Sequence, residues 1–227
     1  MSSLLSVRQL SIFFGGVAAV QNVSIDIPKG HIYSIIGPNG AGKTTLFNVI
    51  SGVYAPNGGS VVLDGSDVTG FSPSRLSHLG MSRTFQNLQI FFRMSAIENV
   101  MVGCHRHEKT SIFSQILGLP RVAAENLASR QRSLELLSFV GLDRYAEHSA
   151  GAMPYGALKR LEIARSLASE PSILLLDEPA AGCNPTETEE VEQVIRKIAQ
   201  RGITVVLVEH DMKLVMRISN RIVVLDR

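Results

Sequence analysis

The residues Gly37-Pro38-Asn39-Gly40-Ala41-Gly42-Lys43-Thr44 constrain this chain more than any other stretch. They match G-x-x-x-x-G-K-[ST] at every fixed position, a pattern that arises by chance in a chain of this length with a probability on the order of 1%. Glycine is needed because the backbone must turn tightly enough for its N–H groups to wrap phosphate oxygens, and a Cβ would obstruct the dihedrals or the approach. The flanks agree. Ile32 to Ile36 is a continuous apolar run that delivers the loop, and Leu46, Val49 and Ile50 give the next segment helical spacing before Gly52 ends it. A strand, a glycine loop and a helix whose positive dipole end faces that loop make a phosphate site. Nucleotide contacts are therefore assigned to Gly37, Pro38, Asn39, Gly40, Ala41, Gly42, Lys43, Thr44 and Thr45. Lys43 would neutralise β- and γ-phosphate charge, and the Thr44 hydroxyl would ligate Mg²⁺.

A second apolar run, Ile173 to Leu176, ends in Asp177-Glu178. In open α/β sheets ligands bind beyond the carboxyl ends of the strands. Asp177 is placed to hold the hydration shell of Mg²⁺, and Glu178 to orient or deprotonate an attacking water. Ile203 to Val208 is another doubly buried strand, and Thr186 to Gln200 reads as the crossover helix of a βαβ unit. Upstream, Leu4–Phe14 and Val23–Ile27 are β-rich, and Pro56-Asn57-Gly58-Gly59 turns into a strand and hairpin at 60–65. From Ser95 to about Phe139 the β-rich runs vanish and several helices are expected, broken at Gly118-Leu119-Pro120. A further helix is expected from Leu158 to Ser169, with Pro171 beyond it.

With 22 Lys and Arg against 20 Asp and Glu, neither a nucleic-acid footprint nor a polybasic membrane patch is suggested. No apolar stretch approaches the roughly 18 residues needed to cross a bilayer. Met1 to Val20 reads as an edge strand, because no Lys or Arg precedes its apolar part and Arg8-Gln9 interrupts it. Cys104 and Cys183 have no disulfide or zinc spacing, which makes a reduced, cytosolic protein the default.

Three more segments carry a family resemblance. Gln86 in Arg83-Thr84-Phe85-Gln86-Asn87 resembles the Q-loop of ABC transporter ATPases. Met153-Pro154-Tyr155-Gly156-Ala157 stands where that family has its L-S-G-G-Q signature, and His210 in Val208-Glu209-His210-Asp211 resembles the switch histidine. Pro154-Tyr155-Gly156, the run 161–165, and Asp177-Glu178-Pro179-Ala180-Ala181-Gly182 with Asn184-Pro185 are similar to the ATP-binding subunits of branched-chain amino-acid importers. The fold implied is an α/β P-loop NTPase core with a mostly parallel sheet, an N-terminal antiparallel β subdomain and a helical subdomain. The resemblance covers 1–227 as one ABC ATPase domain, with the core and antiparallel part at 1–86 and 153–227 and the helical part at 87–152.

The resemblance implies catalytic roles for Glu178, His210 and Gln86. It gives Thr44, Gln86 and Asp177 to the metal, Phe14 to the adenine, and Tyr155 and Gly156 to nucleotide held by a partner. The cofactors are ATP and Mg²⁺. Two such domains close head-to-tail, with a heterodimer the better expectation. They act on transmembrane permease subunits, which are served indirectly by a periplasmic or extracellular substrate-binding protein, from the cytoplasmic face of the inner membrane. No nucleic acid is involved. Family members usually continue through another strand and a helical tail beyond the strand at Ile222–Leu225. Pro154 and Ala157 depart from the signature, so one γ-phosphate contact should be missing.

Blander readings stand beside these. Phe14 also suits a strand core, and Phe91-Phe92 suits either the core or a groove for a membrane subunit. Cys104-His105-Arg106-His107 fits no standard metal spacing and reads as a solvated helix end. Alternatives for the whole chain are the ATPase of another ABC system, such as lipid or polysaccharide export, or a soluble ABC-type ATPase. The latter usually has long insertions or fused cassettes, which are absent here, and a GTPase lacks its N-K-x-D motif.

Overall fold

A computed structural model describes residues 3–105 and 120–226. The chain forms two compact units, one of Met1–Gln86, Ser172–Pro179 and Ile195–Arg227, the other of Asn87–Pro171 and Ala180–Val194.

The first unit contains β1 (Ser3–Phe14), β2 (Val17–Pro28), β3 (Ile32–Ile36), α1 (Lys43–Ile50), β4 (Gly58–Leu63), β5 (Ser66–Asp67), α2 (Pro73–His78) and β6 (Met81–Arg83). Its antiparallel sheet has the order β2-β1-β4-β5. Gly15 and Gly16, at φ 54° and 84°, close the tight β1–β2 hairpin in which Phe14 pairs with Val17. Both central residues of such a turn need positive φ, which glycine supplies without a steric penalty. The expectation of an edge strand over Met1–Val20 is corrected here: β1 pairs with β2 on one side and β4 on the other, and residues from Val17 onward belong to β2. The reason is long-range pairing with Gly58–Leu63, which no local pattern in β1 announces. Gln9, at φ 45°, lies where the register of β1 slips between Val7 and Leu10. Such a bulge breaks strict alternation, and Leu4, Leu5, Val7, Leu10 and Ile12 all remain buried.

The second unit holds α3 (Ala96–Cys104), α4 (Pro120–Phe139) and α5 (Tyr155–Leu167). The helical character expected from the middle of the sequence is present. Ser95 starts α3 with a capping box: its hydroxyl accepts from the Glu98 N–H, and the Glu98 carboxylate accepts from the Ser95 N–H. The expected break at Gly118-Leu119 lies outside the described residues, as do Arg106 and His107, while Pro120 is the first residue of α4. Helix α5 begins at Tyr155 rather than Leu158, because Pro154 has extended backbone (φ −60°, ψ 152°) and serves as its N-cap.

The chain continues with β7 (Ile173–Asp177), α6 (Pro185–Gln200), β8 (Thr204–Val208), α7 (Met212–Ile218) and β9 (Arg221–Val224). Strands β6-β7-β8-β3-β9 form a sheet with every pairing parallel. Every residue of β7 and β8 is buried, as their uninterrupted apolar runs require. Core residues of the antiparallel sheet (Leu5, Val7, Val61) form one apolar cluster with Phe47 and Ile50 of α1 and Val206 and Val208 of β8.

Within the second unit α3 approaches α5 at Gly103, where a Cβ would lie 2.2 Å from the Arg165 carbonyl oxygen and 2.8 Å from the Ala168 Cβ. Neither obstacle is the flexible end of a side chain. Gly103→Ala should therefore destabilise the protein by about 1–3 kcal/mol despite alanine's better helix propensity. Chemical denaturation would show this as a lowered midpoint, and an unchanged midpoint would mean that the helices separate without cost.

Candidate functional site

The parallel sheet brings the sequence motifs to one edge. β3 ends at the glycine loop, its neighbour β8 at Glu209-His210, the next strand β7 at Asp177-Glu178, and β6 leads into Gln86. Two loop glycines are fixed by both conformation and space. At Gly42 (φ 86°) a Cβ would sit 2.3 Å from the Ala19 carbonyl oxygen, and at Gly37 (φ 156°) 2.2 Å from that of Leu225. Gly42 is the N-cap of α1, and its carbonyl accepts the Leu46 N–H at 2.7 Å. Lys43 is 6% exposed, and its Nζ donates to the carbonyls of Gly37 and Pro38 at 2.8 and 2.9 Å. The ammonium is thus folded over the loop. Thr44 is exposed beside it.

Opposite the loop in the sheet order, Glu178 adopts left-handed backbone, φ 49°. For a non-glycine residue this costs roughly 1–2 kcal/mol. It is held there because the Glu178 N–H continues the ladder to the Val208 carbonyl at 2.9 Å. Both carboxylate oxygens are engaged: Gln86 Nε2 donates to Oε2 at 3.1 Å, and His210 Nε2 lies 2.9 Å from Oε1. Three residues assigned separately from sequence therefore meet on one carboxylate. A cleft of about 350 Å³ is lined by Asn39, Gly40, Gly42–Thr45, Gln86, Glu178 and His210. The glycine cradle, the nearby ammonium and the exposed Thr44 fit a phosphate chain. The hydroxyl, amide and carboxylate oxygens of Thr44, Gln86 and Asp177 are the donors a hard divalent cation prefers.

Asp177 does not line the cleft wall. It is 2% exposed and pairs with Arg83, whose Nη2 donates to Oδ2 at 2.9 Å. Sequence reasoning passed over Arg83, because an arginine at the end of a short strand gives no sign of the carboxylate it will meet.

A model for the ABC transporter family matches residues 20–181 of the chain. The chain is 42% identical over 225 residues to the high-affinity branched-chain amino acid transport ATP-binding protein BraF of Pseudomonas aeruginosa, covering 99% of this chain and 88% of that protein. It is 43% identical to LivG of Escherichia coli K12, whose name carries the same description, with the same coverage. The chain belongs to the ABC transporter family. Among solved structures, a nucleotide-free ATP-binding cassette of an ABC transporter matches with a TM-score of 0.86 at 29% identity, over 99% of this chain and 88% of that one. A dimeric cassette in a post-hydrolysis state, bound to ADP and Pi, matches at 0.80 and 27% identity over 98% and 94%. The P-loop NTPase fold with its antiparallel and helical parts is the ABC ATPase fold. This cassette is a member of a nucleotide-binding ATPase family.

The remaining expected positions of the cassette lie elsewhere. Phe14 ends β1 with its ring half exposed and edge-on to Tyr54, centroids 5.3 Å apart at 73°. It is not a strand-core residue, and Tyr54 is an exposed companion that sequence reasoning did not single out. Tyr155 is also partly exposed, and its ring covers Gly182 (φ 80°), where a Cβ would lie 3.0 Å from Cε1. Gly156 is buried, and its N–H donates to Glu187 Oε1 at 3.1 Å. Glu187 Oε2 accepts the Asn184 N–H at 2.9 Å, while Asn184 Oδ1 accepts the Glu187 N–H at 3.0 Å, a reciprocal cap on α6. One carboxylate thus serves the N-termini of α5 and α6, and Pro154 offers α5 no side-chain cap of its own. Cys104 is buried beside Ser133, and Phe91 and Phe92 are about half exposed. Among the described residues no three His, Cys, Asp or Glu side chains cluster as a metal site, and no helix is long and apolar enough to cross a membrane.

Replacing Glu187 with alanine removes two charge-assisted contacts to helix N-termini. A loss of about 1–2 kcal/mol is expected. Thermal unfolding monitored by circular dichroism reads it directly, and a variant as stable as the parent would show that the Glu187 contacts contribute nothing.

Proposed function

We propose that this cassette binds ATP with Mg²⁺ in the cleft above the parallel sheet and hydrolyses it to drive import of branched-chain amino acids, or close chemical relatives, through separate permease subunits. The observation that carries the hydrolytic reading is the convergence of Gln86 and His210 on the two oxygens of Glu178 beside the glycine loop. A carboxylate held by two donors on rigid strand ends is oriented in advance, and it can accept a proton from water once those donors turn to a γ-phosphate. Lys43 and the loop N–H groups, with Pro38, Asn39 and Ala41 shaping the turn, would hold the phosphates. Thr44, Gln86 and Asp177 would hold the magnesium, which neutralises charge developing on the phosphates. Phe14 would stack on adenine.

The substrate reading is supported by the names of the relatives, high-affinity branched-chain amino acid transport ATP-binding proteins in Pseudomonas aeruginosa and Escherichia coli. The cassette works in a pair, more naturally with a different ATPase subunit than with a second copy, attached peripherally to the cytoplasmic side of the inner membrane. A periplasmic or extracellular binding protein completes the system. The Tyr155-Gly156 segment of this chain faces the nucleotide held by its partner. Because the Gly156 N–H donates to Glu187 in the isolated chain, it exchanges a carboxylate for a phosphate when the pair closes.

Glu178→Gln keeps the side-chain volume and removes the base. Phosphate release should fall by about 100-fold or more, while titration with a fluorescent ATP analogue should show binding retained. Hydrolysis at the parental rate would remove Glu178 from the chemistry.

A further inference from the structure

Arg83 makes a set of contacts that neither nucleotide binding nor hydrolysis has yet used. Its side chain is 7% exposed. Nη2 donates to Asp177 Oδ2 at 2.9 Å, and Nη1 donates to Asn48 Oδ1 and Ser51 Oγ, both at 2.7 Å. Asn48 and Ser51 lie at the end of α1, the helix that begins with Lys43 and Thr44. The guanidinium also stands 5.0 Å from the Phe85 ring centroid and 5.7 Å from that of Phe47. One planar cation therefore ties the Asp177 carboxylate at the end of β7 to the helix that carries the phosphate lysine.

The chemistry explains why this matters. The terminal torsion of an aspartate is soft, so a carboxylate plane is fixed only by what it touches. Arginine presents donors in a rigid fork, stays charged under all ordinary conditions, and stacks on aromatic faces, so one nitrogen can hold Asp177 Oδ2 while the other holds Asn48 and Ser51, a fixed spacing that lysine, a point charge, does not provide. Groups behind metal-ligating carboxylates orient them, and removing such a group typically costs about 10–100-fold in metal affinity.

We propose that Arg83 is a positioning residue for magnesium: it anchors Asp177 through Oδ2 and ties it to α1, so that Asp177 and Thr44 meet the cation as parts of one body. The inference rests on the Mg·ATP reading above. Phe85, half exposed, borders a cavity of about 200 Å³ together with Arg83, Met81 and Leu76. Arg83 thus has one side toward that surface and the other on Asp177.

The test titrates the full chain with a fluorescent ATP analogue, first in EDTA and then at graded Mg²⁺. The parent is compared with Arg83→Gln, Arg83→Lys, Asp177→Asn and the double variant Arg83→Gln/Asp177→Asn, each checked for folding by circular dichroism. Affinity in EDTA should equal the parent's in Arg83→Gln, while the Mg²⁺ concentration giving half the magnesium-dependent gain should rise about tenfold. Arg83→Lys should shift it less in the same direction, and should Arg83→Gln not fold, the lysine variant carries the same readout. In the Asp177→Asn background, Arg83→Gln should add no further shift, since the two residues act as one. A merely structural Arg83 would weaken binding equally with and without Mg²⁺, or act additively with Asp177→Asn, and either result overturns the proposal. A Mg²⁺ dependence equal to the parent's in both Arg83 variants does the same. Absence of any Mg²⁺-dependent binding in the parent would instead overturn the nucleotide reading itself.

Discussion

The structure depends on the parallel register of three strands. Val208 of β8 pairs with Ile35 of β3 on one side and with Asp177 of β7 on the other. That single rung places the glycine loop, the acidic pair and His210 at one end of the sheet, although they are far apart along the chain. Its strength comes from burial rather than from the site's polar contacts. Ile35, Leu175, Leu176, Val206 and Val208 are fully buried, and each such side chain contributes about 1.5–3 kcal/mol. A typical hydrogen bond such as that between Gln86 and Glu178 contributes about 0.5–1.5 kcal/mol net. The comparison decides what moves when a ligand enters. Gln86 and His210 can leave Glu178 without disturbing the frame that holds it.

Charge placement follows the same division of labour. The Arg83–Asp177 pair is buried on both sides, where removing one partner from a charge pair costs far more than the pair itself contributes. A buried charge pair is weak evidence for stability on its own, which leaves room for a role in placing Asp177. Lys43, also buried, rests on the Gly37 and Pro38 carbonyls, neutral acceptors from which an ammonium can turn toward phosphate. Glu178 leaves the strand with left-handed backbone, and its carboxylate there meets both Gln86 and His210.

Much of this was legible in the sequence. Apolar runs without alternation announced the buried strands, and the glycine spacing together with the flanking strand and helix announced the loop. The acids after Leu176 were recognisable because strand ends are where ligands bind. What could not be read was whatever depends on partners distant in sequence. β1 lies inside its sheet because Gly58–Leu63 closes on it, Arg83 meets a carboxylate far along the chain, and Glu187 reaches back to Gly156. Other features carry a local signal. Gly15-Gly16 is a hairpin turn in plain view, Asn184-Pro185-Thr186-Glu187 has the spacing of a capping box, and Ser72-Pro73 starts a short helix. Left-handed backbone at a glutamate has no sequence signature.

The central claim is that the glycine loop with Lys43 holds the phosphates of a nucleotide. Isothermal titration of the purified chain with ATP and Mg²⁺, run beside Lys43→Ala, tests it most directly. The parent should bind one equivalent saturably, and the variant should lose most or all of that affinity while remaining folded. A parent that binds no ATP, or a Lys43→Ala variant that binds it equally well, would contradict the account.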